Sequence, residues 1–219
     1  MATAFRDRSE AGRVLADLLQ EYRGDPAALV LALPRGGVPV GYEVASQLGI
    51  PLDVFVVRKL GVPGREELAM GAIASGGVRV LNDEVVRHLA ISPGIIDAVA
   101  ERESLEIERR EREYRGDRPR PDVRGRLVIL VDDGLATGST MKAAVSALRL
   151  QSPRWIVVAV PVAAAASREE FRFIADQVVC ARAPEEFSAV SEWYDDFSQT
   201  SDREVRRLLA MADAAREPR

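Results

Sequence analysis

The sequence predicts an α/β fold built on a doubly wound, mostly parallel sheet, with a helical insertion and a separate C-terminal segment. Short, fully apolar runs alternate with helical patterns, which is typical of parallel strands covered on both faces. Hydrophobic residues make up 47% of the chain and charged residues 29%, the proportions of an ordinary globular protein. A length of 219 residues suits one sizeable core with at most a small appendage.

The first part of the chain predicts two helices and four strands. Residues 9–22 carry apolar side chains on one face of a helix, and Ser9 is a suitable N-cap. Residues 29–33 and 52–57 are continuous apolar runs that predict buried strands, with a helical pattern between them. Residues 69–82 predict two further short strands separated by a pair of glycines.

Residues 83–115 differ from the rest because they are helix-forming and densely charged, with a Ser-Pro-Gly break at 92–94. We interpret them as a helical insertion. Strands alternating with helices are then predicted at residues 126–131, 155–160 and 177–181. The predicted core therefore covers residues 1–181, including the insertion. Residues 182–219 form a C-terminal unit with four aromatic residues and a last amphipathic helix.

The charge and cysteine content of the chain exclude several classes of protein. A formal net charge of −4 and a pI near 5.3 argue against binding to nucleic acid or a membrane surface, since such proteins usually carry a basic excess. The single cysteine, Cys180, excludes an internal disulfide framework and suits a reducing compartment. No apolar leader is visible, and the longest apolar run, residues 155–166, is too short to span a bilayer. We therefore expect a cytoplasmic protein with small-molecule partners.

The strongest functional signal is the stretch LVILVDDGLATGST, residues 127–140. In an open α/β sheet, ligands bind at the carboxyl ends of the strands, where Asp132 and Asp133 are predicted to lie. The loop from Ala136 to Thr140 leads into a helix, whose N-terminus offers free N–H donors to an anion. Its glycine and hydroxyl-bearing residues allow close backbone approach and add further donors. Carboxylates beside an anion cradle favour a sugar phosphate, whose hydroxyls would face the aspartates.

These residues resemble the signature with which type I phosphoribosyltransferases bind phosphoribosyl diphosphate (PRPP). The LATG form of the loop is closest to that of the adenine phosphoribosyltransferases. The turn PRGG at 34–37 resembles the pyrophosphate loop of the family, in the form closest to the xanthine and hypoxanthine-guanine enzymes. The run RKLGVPG at 58–64 is similar to the flexible loop that closes over PRPP. The resemblance also implies a cis peptide bond between Pro34 and Arg35.

The resemblance implies transfer of the 5-phosphoribosyl group of PRPP to a nitrogenous base, with release of pyrophosphate. Mg²⁺ is implied as the cofactor, held mainly through PRPP and pyrophosphate rather than by direct protein ligands. The residues implied to be catalytic are Asp132, Asp133 and Lys59. The residues implied to bind PRPP are Arg35, Gly36, Gly37, Arg58, Lys59, Asp132, Asp133, Ala136, Thr137, Gly138, Ser139 and Thr140. The residues implied to contact the base from a small C-terminal hood are Phe187, Trp193, Tyr194 and Phe197.

The sequence leaves the acceptor base open. Position 136 is Ala, where the 6-oxopurine enzymes of the family place an aspartate, and residues 69–77 hold no counterpart of the glutamate found in adenine enzymes. A non-catalytic, PRPP-binding regulatory protein would keep the same loops and is the alternative hypothesis. A receiver-like phosphate-binding domain would give no role to PRGG or RKLGVPG. A homodimer is compatible with the resemblance, but no pattern specifies the oligomeric state.

Overall fold

The computed structural model describes residues 4–216. Its elements follow the alternating order expected of an α/β protein. In chain order they are α1 (Arg8–Leu18), β1 (Ala28–Ala32), α2 (Gly37–Leu48), β2 (Leu52–Val54), β3 (Val57–Val62), β4 (Arg65–Ala74), β5 (Val78–Leu81), α3 (Asp83–His88), α4 (Pro93–Arg115), β6 (Leu127–Val131), α5 (Ser139–Arg149), β7 (Trp155–Val162), α6 (Ala165–Phe171), β8 (Gln177–Arg182) and α7 (Asp202–Ala214). Two short 3₁₀ turns lie at Gln20–Tyr22 and Val190–Trp193.

Five parallel strands form the main sheet, in the order β2-β1-β6-β7-β8. Every residue of β1 and β6 is buried, because α1, α2 and α7 cover one face and α5 and α6 cover the other. The chain order reverses between β1 and β6, which lie side by side with Leu31 opposite Leu130. Ligands bind at such a switch point in doubly wound sheets. The predicted fold class is confirmed.

The residues predicted as strands at 69–82 belong to a second sheet, which is antiparallel and has the order β3-β4-β5. The run RKLGVPG forms the end of a β-hairpin rather than an open loop. It completes β3 and turns at Pro63 and Gly64, and the Gly64 φ of 77° suits glycine. Residues 63–68, at the tip of the β3–β4 hairpin, are exposed.

The helical insertion is present as α3 and α4, which are separated at the predicted Ser-Pro-Gly break. One face of α4 packs on the second sheet, where Ile96 and Leu60 belong to one buried cluster. At the end of α4, the buried Arg115 donates through Nε to Asp53 Oδ1 (2.7 Å) and through a terminal nitrogen to Val54 O (2.7 Å). The insertion is therefore anchored both to the second sheet and to the end of β2.

Helix α1 begins earlier than predicted because Asp7, rather than Ser9, is its N-cap. Asp7 Oδ1 accepts a hydrogen bond from Glu10 N at 2.7 Å, and Asp7 has the extended backbone of a capping residue. This start places Arg8 in the first turn of the helix. Over residues 4–216, no helix has both the length and the apolar composition needed to cross a membrane.

Candidate functional site

Two loops meet where β1 and β6 end, at the switch point of the main sheet. A Cβ atom on Gly36 would overlap Asp133 Oδ2, and a Cβ atom on Gly37 would lie 2.8 Å from Val131 O. Glycine at both positions therefore allows the PRGG turn to touch the acidic pair. The Pro34–Arg35 peptide is cis, as the resemblance implies.

The loop that follows the acidic pair opens toward solvent at the start of α5. Gly138 adopts the left-handed conformation (φ 69°, ψ 11°), and a Cβ atom there would lie 2.5 Å from Phe171 Cε2. Apart from Gly138, every residue of 136–140 is exposed. The N–H groups in the first turn of a helix lack intrahelical partners, so this loop can receive a phosphate group.

Asp132 and Asp133 are adjacent carboxylates, both half-buried. Asp133 N donates to Asp132 Oδ1 at 2.9 Å. Burial raises the pKa of Asp132 well above its usual range, and the charge of Asp133 raises this pKa further, while the charge of Arg8 opposes the shift. A ligand that brings hydroxyl donors or positive charge to this point would relieve the repulsion between the two carboxylates.

Asp133 also forms an ion pair that the sequence did not suggest, with Arg8 in the first turn of α1. Arg8 Nε donates to Asp133 Oδ2 at 2.8 Å. The two side chains are only 11% and 16% exposed, so the ion pair is largely shielded from water. The residues are 125 positions apart, and no local pattern connects them.

The C-terminal segment lies directly on the acidic pair. Tyr194 Oη donates to the backbone oxygen of Asp133 at 2.5 Å, and Val190 packs against Gly134 so closely that a Cβ atom there would overlap it. Tyr194 is buried, which raises its pKa, as does the charge of Asp133. The other residues predicted to contact the base are half-buried: Phe187, Trp193 and Phe197. Their contact with a base stays a prediction.

The cationic side chains predicted at the pyrophosphate end differ in their surroundings. A terminal nitrogen of Arg35 lies 3.6 Å from Asp202 Oδ2, at the start of α7. Arg58 pairs with Glu103 Oε2 on α4 at 2.8 Å. Lys59 is exposed, and a hollow of about 370 Å³ between β3 and α4 is lined by both Arg58 and Lys59. Arg102, Glu66 and Glu103 also line this hollow, so it suits a diphosphate once Arg58 separates from Glu103.

Sequence reasoning missed three residues that contact the predicted site: Arg8, Glu103 and Asp202. Each lies on a helix, far along the chain from its partner. The charge run in the insertion was visible, but such a run does not reveal which carboxylate is buried. Glu103 is 8% exposed, whereas its neighbour Arg102 has a side chain that is 68% exposed.

Within residues 4–216, no group of three or more His, Cys, Asp or Glu side chains is arranged to hold a metal ion. An Mg²⁺ ion that arrives bound to a diphosphate needs no such group, since phosphate and water oxygens supply its ligands. The PRGG turn and the side chains of Arg58 and Lys59 are suited to the diphosphate part of such a complex.

Comparison with known proteins relates this site to a family. Residues 3–196 match the family model described as the phosphoribosyl transferase domain. The chain is 48% identical over 208 residues to a protein of Mycobacterium tuberculosis (strains CDC 1551 and H37Rv) whose name gives it, provisionally, as a phosphoribosyl transferase. The match covers 95% of this chain and 47% of that protein. The chain thus spans about half the length of the curated relatives it matches.

Among solved structures, the chain is similar to the protein TT1426 from Thermus thermophilus, with 42% identity and a TM-score of 0.84. That match covers 95% of this chain and 99% of the other. The AQ2163 protein from Aquifex aeolicus is 11% identical, with a TM-score of 0.50 over 92% of this chain and 85% of the other. This second likeness concerns the fold alone.

Proposed function

Because the chain belongs to the type I phosphoribosyltransferase family, we propose that it transfers the 5-phosphoribosyl group of PRPP to a nitrogenous base and releases pyrophosphate. The observation that carries this proposal is the contact between Gly36 of the PRGG turn and the carboxylate of Asp133. A turn suited to a diphosphate and a carboxylate suited to sugar hydroxyls therefore share one edge of the sheet. The exposed loop 136–140 supplies the phosphate-binding end beside them.

PRPP would bind with its three parts on three neighbouring segments. Its 5′-phosphate would lie on the backbone N–H groups and hydroxyls of residues 136–140, at the start of α5. Its ribose hydroxyls would donate to Asp132 and Asp133. Its diphosphate would lie against the backbone of Arg35, Gly36 and Gly37, where glycine permits close approach.

In the proposed reaction, the bond between ribose C1 and the diphosphate oxygen breaks, and its electron pair leaves with pyrophosphate. A ring nitrogen of the acceptor forms the new bond to C1 and releases its proton to solvent. As the diphosphate departs, the sugar gains the positive charge of an oxocarbenium ion. The fixed carboxylates of Asp132 and Asp133 would stabilise that charge without having to reorganise.

The β3–β4 hairpin would act on the leaving group. Lys59 and Arg58 would face the charge that develops on pyrophosphate, and Arg58 must first separate from Glu103. Mg²⁺ carried by the diphosphate would neutralise part of the same charge. Movement of the exposed hairpin tip over the ligand would exclude water, which otherwise hydrolyses PRPP.

A screen of purine and pyrimidine bases with PRPP and Mg²⁺, in which released pyrophosphate is measured, tests this proposal. We expect release that depends on at least one base. Calorimetry should show that PRPP binds, and binds more tightly with Mg²⁺, because the metal offsets repulsion between the diphosphate and the acidic pair. Neither heat nor a thermal shift at saturating PRPP and Mg²⁺ would contradict the proposal.

The second candidate is a PRPP-binding regulatory protein without catalysis. The observation that favours it is that two side chains assigned to the reaction already form ion pairs within the chain. Asp133 pairs with Arg8, and Arg58 pairs with Glu103. A regulator of this kind would bind PRPP and Mg²⁺ in the same calorimetric experiment. It would release no pyrophosphate with any base.

A further inference from the structure

Arg8 reaches the acidic pair from the first turn of α1. Its Nε donates to Asp133 Oδ2 at 2.8 Å, and a terminal nitrogen donates to Ser198 O at 2.7 Å. A guanidinium group is a planar fork with fixed donor directions. Two hydrogen bonds from this fork therefore fix the guanidinium, and through it the orientation of the Asp133 carboxylate.

Aromatic side chains of the C-terminal segment hold Arg8 from the other side. The guanidinium carbon of Arg8 lies 4.0 Å from the centre of the Phe197 ring and 6.0 Å from that of Tyr194. Tyr194 also donates to the backbone oxygen of Asp133. Side chain and backbone of Asp133 are thus held by two distant parts of the chain, which is more support than a surface ion pair receives.

This arrangement leaves one carboxylate oxygen of Asp133 available. Arg8 engages Oδ2, and no N–H group of the described residues donates to Oδ1; the Asp132 carboxyl, when protonated, can hydrogen-bond to the Asp133 carboxylate. A sugar hydroxyl needs one acceptor oxygen at a fixed place. If Arg8 served only to join α1 to the C-terminal segment, any nearby acidic residue could be its partner. Its partner is instead Asp133, one of the two carboxylates of the acidic pair.

Charge gives Arg8 a second effect. The charged groups beside Asp132 are Asp133, the next residue in the chain, and Arg8 on α1. Tyr194 borders Asp133 from the C-terminal segment, and Arg182 at the end of β8 lies near Tyr194. Among them, the positive charge of Arg8 lowers the pKa of Asp132. Removal of Arg8 would raise the pKa of Asp132, so Asp132 would take up a proton at a higher pH.

We propose that Arg8 is a positioning residue for phosphoribosyl transfer: it holds Oδ2 of Asp133 and presents Oδ1 to a ribose hydroxyl of the donor. This inference rests on the proposed function, because it assigns the ribose to Asp133. Arg8 itself does not touch the reacting atoms.

The test compares Arg8→Met, which removes the positive charge, with Arg8→Lys, which keeps the charge but lacks the planar, multi-donor guanidinium group. Arg13→Met is the matched control, since Arg13 lies on the same helix with a side chain that is 46% exposed. PRPP binding with Mg²⁺ is measured by calorimetry between about pH 5 and 8, and folding by thermal unfolding. Carboxyl ¹³C NMR titration of the ligand-free proteins reports the ionisation of the pair without any donor molecule.

We expect Arg8→Met to weaken PRPP binding about 10-fold or more at pH 7, as loss of a hydrogen bond between charged groups would. Its pH midpoints for binding and for carboxyl titration should move upward. Arg8→Lys should keep the midpoints of the unaltered protein yet bind PRPP several-fold more weakly. Arg13→Met should match the unaltered protein in both respects.

Unchanged PRPP affinity in a folded Arg8→Lys or Arg8→Met variant would overturn the inference, as would unchanged midpoints in Arg8→Met. If Arg8→Met does not fold, the PRPP affinity of Arg8→Lys alone tests the inference. If the unaltered protein binds no PRPP, the proposed function fails. In that case the NMR titration still shows whether Arg8 controls the acidic pair.

Discussion

At the scale of single residues, the acidic pair combines two opposing requirements. Carboxylates that stabilise a cationic sugar must be ionised, yet Asp132 is half-buried beside Asp133, and both burial and the neighbouring charge raise its pKa. The folded protein therefore binds a proton at Asp132 more readily than the unfolded chain does. Its stability is reduced at pH values above the raised pKa, and recovers as the pH falls through that pKa.

Asp132→Asn should consequently stabilise the ligand-free protein at pH 7, by on the order of 1 kcal/mol, because the amide carries no charge that burial disfavours. The amide oxygen of the variant can still accept from Asp133 N. The gain should shrink as the pH is lowered through the raised pKa, and PRPP binding should weaken at neutral pH. Urea unfolding at several pH values measures the stability, with the exposed Asp97→Asn as control. Destabilisation at pH 7 would contradict this account.

Asp133→Asn should leave the fold intact and reduce kcat about 10²- to 10³-fold, with a much smaller loss of PRPP affinity. The charge of Asp133 matters most when the sugar becomes cationic, so its removal affects the transition state more than the bound substrate. Steady-state kinetics and calorimetry separate the two quantities. An equal loss in both would count against charge stabilisation, and a change in binding without any turnover would favour the regulatory alternative.

At the scale of elements, the charged insertion has an identifiable role next to the hairpin. Helix α4 places the buried Glu103 against Arg58 of β3, while Glu106, Arg109, Arg110 and Glu113 pair with one another along the helix itself. We infer that Glu103 competes with pyrophosphate for Arg58.

Glu103→Gln should therefore increase the affinity for pyrophosphate and Mg²⁺ several-fold, because an amide holds a guanidinium more weakly than a carboxylate does. A modest loss of stability should accompany this gain, since an ion pair with a largely buried carboxylate is broken. Glu113→Gln is the control, because Glu113 pairs with the exposed Arg109 on the same helix. If pyrophosphate affinity is unchanged in Glu103→Gln, Arg58 does not bind the diphosphate.

The strands show which elements the sequence could predict and which it could not. Apolar runs such as 126–131 predicted the parallel strands, because burial on both faces leaves a continuous signal. The run RKLGVPG resembles a flexible loop in which Arg58 and Lys59 end a strand and Gly61, Pro63 and Gly64 suit mobility, so a loop is predicted there. It nevertheless pairs with β4, because the partner strand and the helix packed on it supply the stabilisation. Strand partners depend on tertiary contacts, so the second sheet could not be recognised.

At the scale of the whole molecule, the candidate site is built from two short contiguous motifs and several residues that lie far from them in the chain. The acidic pair and loop 136–140 lie in a single stretch, and PRGG in another, so the sequence could identify them. Arg8 and Tyr194 come together because residues 5–6 pair with residues 193–196. Such pairing between distant segments has no local sequence signal.

Phe5 is the residue that joins these segments. It is 1% exposed, its N–H donates to Trp193 O at 2.8 Å, and the Arg182 guanidinium lies 3.6 Å from the centre of its ring. Phe5→Ala should lower the free energy of unfolding by about 3–5 kcal/mol, as for other buried phenylalanines. It should also weaken PRPP binding, because Tyr194 and Arg8 lose their support.

Phe173→Ala is the matched control, since Phe173 is 88% exposed and its truncation should change stability by less than about 0.5 kcal/mol. Urea unfolding and calorimetry with PRPP and Mg²⁺ measure both effects. A Phe5→Ala variant as stable as the control would contradict the assigned packing. One that is destabilised yet binds PRPP normally would show that the N-terminal segment supports the fold but not the site.

Strands β1 and β6 end at the same level of the sheet, and this limits which sequence changes the protein can accept. Ala32 lies opposite Val131, so the PRGG turn and the acidic pair begin at the same height on the sheet. One residue inserted into either strand would shift its loop by about 3.3 Å relative to the other and reverse the alternation of side chains beyond it. Apolar side chains of similar volume can replace one another within these strands with little loss. Their length is thus under tighter constraint than their composition, and an insertion should inactivate the protein where many substitutions would not.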